Sequence, residues 1–307
     1  MRNDKLRSYL HLNLIVLIWG FTAVLGALIS LGAIPLVWWR MMMASLLILF
    51  WIRWRRKSLR VSSRSLITMI GAGVIIALHW LTFFGAIKAA NVSVTLAMLS
   101  TGAFFTSILE PLLYRRKIIW YEIILGLLVV SGLYIIFEVE TEYMEGMILA
   151  LISALLSALF ALINGKLAPR EDAAVISFYE LLCGALAISV YLGVLALFGT
   201  PGSGFSIAFF RLTGMDLGLL FLLASVCTAY AFIGAVAVMR HLSPYTVMLT
   251  TNLEPVYGIL LAFLILGQEE RMEPGFYYGA GIVLVTVIIN GLLKTRRKIR
   301  KHRRVTS

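Results

Sequence analysis

The sequence predicts an all-α integral membrane protein in which ten transmembrane helices form two inverted five-helix repeats. Three observations support this prediction: the composition, ten apolar runs of bilayer length, and a similarity between the two halves of the chain. Of the 307 residues, 61% are apolar and only 14% are charged. This composition excludes an ordinary soluble domain of the same size.

The ten apolar runs are each about 20 residues long, which is enough for a helix to cross a bilayer. The first run follows Arg2, Lys5 and Arg7 and so resembles a signal peptide. Its apolar part is too long for one, and we therefore predict an uncleaved first span. The predicted spans cover about residues 10–29, 35–52, 66–88, 92–114, 118–137, 144–165, 174–198, 215–239, 244–266 and 275–293.

The positive charges lie mainly on one side of these spans. Of 27 Lys and Arg residues, 23 fall in the N-terminal segment, the alternate loops that lie on the same side, and the C-terminal tail. The opposite loops hold Lys88, Arg211 and Arg271, and Arg40 lies inside a span. This distribution predicts cytoplasmic termini, with the tail near anionic lipid rather than bound to nucleic acid.

An internal repeat relates the two halves. A shift of 150 residues places residues 93–101 on residues 243–251 and Trp80 on Tyr230, and a shift of 140 places residues 38–40 on 178–180. We therefore divide the chain into a first half, residues 1–140, a second half, residues 141–293, and a basic cytoplasmic tail, residues 294–307.

Five spans in each half make the repeat an inverted one, because the second half enters the membrane from the opposite side. Inverted repeats recur in transporters, where they supply two interchangeable conformations, each open to one side. Substrate sites in such proteins lie near the bilayer midplane at the interface between repeats. The repeat therefore predicts a central site with contributions from both halves.

Several short motifs recur in order along the predicted spans. They are Trp19-Gly20 in span 1, Arg40 in span 2, Leu253-Glu254-Pro255-Val256 in span 9, and Gly267-Gln268-Glu269 after it. With these motifs the chain resembles the EamA-type transporters of the drug/metabolite transporter (DMT) superfamily. The resemblance covers nearly the whole chain, but no Gly-x-Glu follows span 4, where residues 115–117 are basic instead. It implies a basket-like ten-helix carrier of the cell inner membrane that exports amino acids or other small metabolites.

Ionisable side chains inside a bilayer are costly and mark candidate functional positions. His79 and Glu254 fall near the centres of their predicted spans. Arg40 is five residues into span 2, from where its side chain can reach outward to the membrane surface, and Glu180 is about two turns into span 7. We predict that Glu254, Pro255, His79, Arg40 and Glu180 are coupling or gating residues.

Glu254 is the strongest candidate. It shares a helical face with Thr250 and Thr251, and Pro255 should bend the helix by removing a hydrogen bond to the Thr251 carbonyl. Glu254 therefore either couples transport to protons or binds a substrate ammonium, unless it is a neutral side chain that hydrogen-bonds neighbouring helices. Glu110, in the other Leu-Glu-Pro triplet, is expected at the surface in an ordinary ion pair.

Central aromatic and polar residues complete the predicted substrate site. Aromatic rings near span centres suit an apolar or aromatic metabolite, or a cation against a ring face, although core packing is their more frequent role. His79 is either a substrate ligand or a packed neutral imidazole. The predicted substrate-binding residues are Trp19, His79, Trp80, Phe83, Ser100, Thr101, Tyr230, Thr251, Asn252 and Glu254.

The sequence thus predicts a secondary transporter that is not an enzyme and that uses no cofactor or metal. The nucleotide motif G-x-x-x-x-G-K-[ST] is absent from the chain, which argues against direct use of ATP. The expected partners are a small-molecule substrate, the lipid bilayer and protons, with the chain either a monomer or a homodimer. A passive channel, a lipid-handling protein and, less favoured, an integral membrane enzyme are the alternatives.

Overall fold

The computed structural model of the protein describes residues 2–115, 120–199, 204–286, 288–289 and 293. Most of these residues are helical, and none of them forms a β-strand. The basic tail, residues 294–307, lies outside the described part of the chain.

Fourteen α-helices are described, several of them halves of one interrupted span. They are α1 Arg2–Leu28, α2 Ala33–Trp54, α3 Ser63–Ala89, α4 Val92–Leu99, α5 Gly102–Tyr114, α6 Trp120–Val139, α7 Met144–Leu167, α8 Ala173–Phe198, α9 Ile207–Phe210, α10 Gly214–Ala224, α11 Ala231–Val238, α12 Pro244–Thr251, α13 Glu254–Leu266 and α14, residues 274–286.

Eight of the described helical segments are long and apolar enough to cross a membrane. They coincide with eight of the ten predicted spans, so the protein is a multi-pass helical membrane protein. The remaining two predicted spans, 118–137 and 275–293, correspond to α6 and α14, for which the described apolar parts are shorter. The count of ten spans therefore stays a prediction.

The core lies where helices of the two halves pack on each other. The central helix α3 packs against α7 and α8, α2 packs against α8, and α1 packs against α13. At Gly20 and Gly258 the helices α1 and α13 come so close that a Cβ on Gly20 would lie 2.9 Å from the Cβ of Tyr257. Glycine is required at this contact because any side chain would separate the two backbones.

Two spans are interrupted in the middle. The first breaks between α4 and α5, at Ser100 and Thr101, and the second breaks between α12 and α13, at Asn252 and Leu253. The bend predicted beside Pro255 is therefore present, with Pro255 in the first turn of α13. The break at Ser100 was not predicted, because no proline lies there.

The two interrupted spans have the same dimensions: half-helices of 8 and 13 residues in both. Their boundaries coincide at a shift of 152 residues, which corrects the predicted shift of 150. Gly102, rather than Phe104, is therefore the positional counterpart of Glu254. The sequence similarity that favoured 150 involved small hydroxyl and apolar residues, whose positions along a helix are interchangeable.

A π-helix, residues Ser225–Tyr230, joins α10 to α11. Within it, the Thr228 hydroxyl donates to the Leu223 carbonyl oxygen, five residues earlier, at 2.7 Å. Isolated π-turns inside α-helices are rare and often occur at functional sites.

Glu110 differs from its prediction. It is buried, with 4% of its surface exposed, rather than lying at the surface. The reason is that α5 packs against α7 along its length, so its last turns are covered by protein. Pro111 lies inside α5 without interrupting it, so the two Leu-Glu-Pro triplets have different structural roles.

Candidate functional site

A cavity of about 90 Å³ lies at the centre of the protein, beside the break between α12 and α13. Its walls come from α1, α2, α3 and α4 of the first half and from α7, α11, α12 and α13 of the second. This volume is several times the roughly 10–15 Å³ that one water molecule needs. Residues of both halves thus line one cavity, and its use as the predicted substrate site stays a prediction.

Most of the candidate residues line this cavity, although their roles remain predictions. Among the candidates, the residues in the cavity wall are Trp19, Arg40, His79, Trp80, Phe83, Thr251, Asn252, Glu254 and Pro255.

Arg40 is held inside the protein rather than reaching outward to the membrane surface, which corrects the expectation for this residue. Only 1% of its surface is exposed. Its Nε donates to Thr228 Oγ1 at 2.6 Å, and its guanidinium carbon lies 3.9 Å from the centre of the Trp80 ring. These two contacts draw the side chain toward the second half, which its depth in α2 alone did not indicate.

Two buried nitrogen atoms in the cavity wall lack a hydrogen-bond partner in the described part of the chain. They are Arg40 Nη1 and Asn252 Nδ2. Buried donors of this kind are uncommon, because leaving one unsatisfied costs about 1–3 kcal/mol. Both are suited to bind an acceptor that enters the cavity.

Glu254 is the first residue of α13 and is buried, with 6% of its surface exposed. A carboxylate is favourable at this position because the N-terminus of a helix has a partial positive charge. Among the described side chains, none forms a hydrogen bond or an ion pair with Glu254, although Arg40 lines the same cavity. The cavity wall therefore contains a guanidinium and a carboxyl group that are near each other but do not form a direct hydrogen bond or ion pair among the described contacts.

His79 is fixed by Ser153 on α7. Its Nδ1 lies 2.9 Å from the Ser153 carbonyl oxygen and 2.8 Å from the Ser153 hydroxyl oxygen, so this ring nitrogen already has hydrogen-bond partners. The ring stacks on Phe83, with centroids 6.1 Å apart. These contacts agree with a packed imidazole that also forms part of the cavity wall.

An aromatic wall faces the charged groups. Trp80 packs against Phe232 at a centroid distance of 5.8 Å, and Phe232 packs against Phe160 at 5.4 Å. All three rings line the cavity. At the shift of 152 that relates the interrupted spans, Phe232 is the positional counterpart of Trp80.

Four of the candidate residues lie away from the cavity. Tyr230 is 46% exposed, and its hydroxyl lies 3.1 Å from His11 Nε2. Ser100 and Thr101 are buried, but their hydroxyls donate to the carbonyls of Ala97 and Met98 at the break in the helix. Glu180 is fully buried between α7 and α8.

These differences have two causes. Tyr230 is the last residue of the π-helix, so its side chain points in a different direction from the one that a continuous α-helix would give it. The hydroxyls at the α4–α5 break satisfy carbonyls of their own chain, which is the usual behaviour of Ser and Thr in membrane helices.

Five of the residues that were not predicted from the sequence illustrate why such residues are difficult to find. Phe160 and Phe232 were indistinguishable from core residues, and the counterpart relation to Trp80 would have identified Phe232 at the correct shift. Thr228 was not identified because its contact with Arg40 spans 188 residues of sequence. The other two, Thr22 and Met248, lie in the wall without a distinctive motif.

A contact between the two halves lies at the end of the protein where α4 begins. The buried carboxylate of Glu270, which follows α13, accepts hydrogen bonds from the backbone N–H groups of Val92 at 3.0 Å and Ser93 at 2.8 Å. A carboxylate at a helix N-terminus binds its free N–H groups and its partial positive charge together. This contact joins the second half to the first.

The described residues offer no grouping of three or more His, Cys, Asp or Glu side chains that could bind a metal ion. The chemistry available in the cavity is thus that of one guanidinium, one carboxyl, one imidazole and amide and hydroxyl groups.

Comparison with known proteins agrees with the sequence resemblance. Residues 6–138 match the model of the EamA-like transporter family. A solved structure whose title gives only "Crystal structure of protein" is similar over 94% of this chain and 98% of its own, with a TM-score of 0.67 and 15% identity. At that identity the likeness shows a shared fold alone. The search of curated proteins found no match.

The matched segment contains α1 to α6, and with them Trp19, Arg40, His79, Trp80 and Phe83 of the cavity wall. The match of residues 6–138 to the EamA-like transporter family supports a multi-pass membrane protein of the EamA type in the DMT superfamily, as the resemblance predicted.

Proposed function

We propose that the protein is a secondary transporter of small zwitterionic metabolites, with amino acids as the substrate class. The observation that supports this proposal is the central cavity, in which Arg40 and Glu254 face the same space without pairing with each other. A molecule with a carboxylate at one end and an ammonium at the other would satisfy both.

The carboxylate of the substrate would bind at Arg40 and Asn252. Arg40 Nη1 and Asn252 Nδ2 are both buried donors that no described protein group satisfies. Hydrogen bonds from a guanidinium to a carboxylate are among the stronger ones in proteins. Because Thr228 and Trp80 hold the rest of the guanidinium, the free nitrogen has a fixed position before the substrate arrives.

The ammonium of the substrate would bind at Glu254. A buried carboxylate without a cationic partner is unfavourable, and a substrate ammonium supplies that partner. The side chain of the substrate would lie against Phe160, Phe232 and Trp80, which favours an apolar or aromatic amino acid.

Alternating access would use the two interrupted spans. In inverted-repeat transporters, discontinuous helices at the repeat interface form the substrate site, and the two repeats move relative to each other around it. The equal half-helices of α4–α5 and α12–α13 support a ten-span inverted repeat of this kind. We further propose an inner-membrane exporter with cytoplasmic termini, from the family resemblance and from the distribution of Lys and Arg.

Roles of Glu254, Pro255 and His79 in coupling or gating also remain predictions. Glu254 would bind either the substrate ammonium or, in its absence, a proton, so the same carboxylate could alternate between the two ligands. Pro255 would allow the angle between α12 and α13 to change.

Substrate binding can be tested on purified protein, because a ligand that binds only the folded state raises its thermal stability. We expect stabilisation by apolar or aromatic amino acids, and none by the corresponding amines or by N-acetylated amino acids, which each lack one charge. Equal stabilisation by all three would contradict zwitterion recognition.

Transport can be tested in proteoliposomes. Saturable counterflow, in which unlabelled amino acid inside drives uptake of labelled amino acid, would support a carrier. Flux without saturation or exchange would indicate a channel, and transfer of lipid between leaflets without amino-acid exchange would indicate a lipid-handling protein. Arg40→Gln should abolish counterflow, while Arg53→Gln, at the exposed end of α2, should retain it.

A further inference from the structure

Glu180 and Asn164 form a second buried polar site, separate from the central cavity. Neither residue exposes any of its surface. Asn164 Nδ2, on α7, donates to Glu180 Oε1, on α8, at 3.0 Å and to the Phe160 carbonyl oxygen at 3.4 Å. Neither residue lines the central cavity.

Hydrogen-bond donors are missing from this site. The two N–H bonds of the Asn164 amide already point to Glu180 Oε1 and to the Phe160 carbonyl. Glu180 Oε2 and Asn164 Oδ1 have no partner among the described residues. Both of these atoms are acceptors when the carboxyl is ionised, so the pair lacks a positive charge or a proton.

No neighbouring side chain supplies that charge. The helices that pack against Glu180 are α2, α3, α7 and α11, and none of their described charged groups forms an ion pair with it. On Glu180's own helix, the titratable neighbour is Cys183, one turn further on. The titratable or charged side chains of the packed helices are Arg40, Arg53, Arg64, His79, Lys88, Glu145 and Lys166.

The size of the site favours a proton over a metal cation. Hard cations such as Mg²⁺ and Ca²⁺ bind six or more oxygen atoms, whereas two side-chain oxygens are available here. The backbones of α3 and α8 are in close contact at this level, since a Cβ on Gly73 would lie 2.5 Å from the backbone carbonyl oxygen of Glu180. The Glu180 and Asn164 side chains are both fully buried, so neither is open to a hydrated ion.

We propose that Glu180 and Asn164 are a proton-binding site through which substrate transport is coupled to protons. The position of the pair suits this role. Asn164 bonds the carbonyl of Phe160, one turn earlier on α7, and the Phe160 ring lines the central cavity. A change in the charge of Glu180 would therefore act on the cavity wall through a single turn of helix.

The coupling step rests on the proposed transport function, but proton binding does not. Binding can be measured by infrared spectroscopy of the purified full-length protein, in which a protonated carboxyl group has a C=O stretching band distinct from those of a carboxylate. We expect one component of this band to be missing from Glu180→Gln, and that component to disappear from the wild-type spectrum as the pH is raised. Glu110→Gln, which changes another buried carboxyl, should retain the band.

A band that is unchanged in Glu180→Gln, or a Glu180 band that does not respond to pH, would overturn the proposal. So would a Glu180 signal that follows the sodium concentration at constant pH. Asn164→Leu provides a second variant if Glu180→Gln does not fold. It removes a donor to the ionised carboxylate, so the band should disappear at a pH about one unit higher, a shift equivalent to about 1.4 kcal/mol.

Coupling is then measured in proteoliposomes that contain a pH-sensitive dye. An amino-acid gradient should move protons in the wild-type protein and not in Glu180→Gln, which should still catalyse counterflow. Proton movement that persists in Glu180→Gln would overturn the coupling step. A titrating Glu180 band in a protein that neither binds nor exchanges amino acids would refute the proposed substrate while leaving the proton site in place.

Discussion

The two interrupted spans have the same shape and different chemistry. In α4–α5, the first residue after the break is Gly102, whereas in α12–α13 it is Glu254. Each first half-helix has its own N-cap: Asn91 accepts from the Val94 N–H at 2.8 Å in α4, and Ser243 accepts from the Thr246 N–H at 3.3 Å in α12. The N-terminus of α4 is in addition bound by Glu270 from the other half of the chain.

This difference shows how one architecture can serve two roles. In an 18-residue window of each span, 72% is buried for Val92–Tyr114, against 28% for Pro244–Leu266. The first interrupted span therefore packs mainly against other helices of the protein. The second supplies the ionisable group of the cavity and is less enclosed by neighbouring helices.

The largest expected effect comes from removing the charge that distinguishes the second break from the first. In Glu254→Gln, the ammonium of the substrate loses a charged partner, and hydrogen bonds to charged groups contribute about 1.5–3 kcal/mol. Amino-acid affinity should therefore fall about 10- to 150-fold, as measured by the concentration that half-saturates thermal stabilisation.

Glu110→Gln is the matched control, because Glu110 is also a buried carboxyl on an interrupted span but does not line the cavity. It should keep wild-type affinity. Equal losses in the two variants would mean that Glu254 acts through structure rather than through contact with the substrate.

The next largest effect is expected at the contact between Glu270 and the N-terminus of α4. Glu270→Gln replaces a carboxylate that binds two backbone N–H groups with a neutral amide, which should weaken this contact by about 1 kcal/mol or more. Hydrogen exchange at the amides of Val92 and Ser93 should become roughly fivefold to tenfold faster. Transport should shift toward the conformation in which this end is open.

Ser243→Ala tests the N-terminus of α12, for comparison with that of α4. Loss of an N-cap side chain costs about 1 kcal/mol. The resulting increase in the rate of hydrogen exchange should be confined to the amides of the first turn of α12. If Ser243→Ala also accelerates exchange at Val92 and Ser93, the two ends are coupled more tightly than their separate capping indicates.

A smaller effect is expected at the aromatic counterparts Trp80 and Phe232. Trp80→Phe weakens the cation–π contact with Arg40, a contribution of about 0.5–2 kcal/mol, so substrate affinity should fall a few-fold. Trp38→Phe, away from the cavity, should have no such effect. Equal affinities for wild type and Trp80→Phe would mean that the ring of Trp80 serves only as packing.

The sequence allowed most of the fold to be predicted, because the length and polarity of each span follow from bilayer thickness. It also identified nine cavity residues, since Arg40, Glu254 and central aromatics are conspicuous in an apolar span. Thr228 and Phe160 could not be found this way. Their roles depend on contacts between distant helices, and neither a hydroxyl nor a phenyl ring is unusual in a membrane helix.

The smallest effect concerns the end at which α12 begins. There Lys57 Nζ and Asp172 form an ion pair at 2.7 Å with both side chains more than a third exposed. Partial burial alone would raise the pKa of Asp172, but the hydrogen bond and charge of Lys57, with backbone N–H groups of α8, lower it below its ordinary value.

Because the pKa of Asp172 is lower in the folded protein, its stabilising contribution is present above the unfolded-state value of about 3.9 and is lost as pH falls through the folded-state pKa. Asp172→Asn should lower stability near neutral pH by less than about 1 kcal/mol and flatten this acid dependence. Thermal unfolding of both proteins between about pH 6 and pH 3 measures it. Parallel pH profiles would show that the pair contributes nothing.

The π-helix at Ser225–Tyr230 changes which side chains of the span Gly214–Val238 share a face of the helix. A π-turn holds more residues than an α-turn, so each side chain after it is displaced around the helix axis from the direction that a continuous α-helix would give it, by up to about 100° per extra residue. A single helical wheel for this span thus assigns Tyr230 and Phe232 to the wrong sides. Two wheels, the second beginning at Ala231, assign Phe232 to the cavity, and a one-residue deletion between Ser225 and Tyr230 should rotate it away.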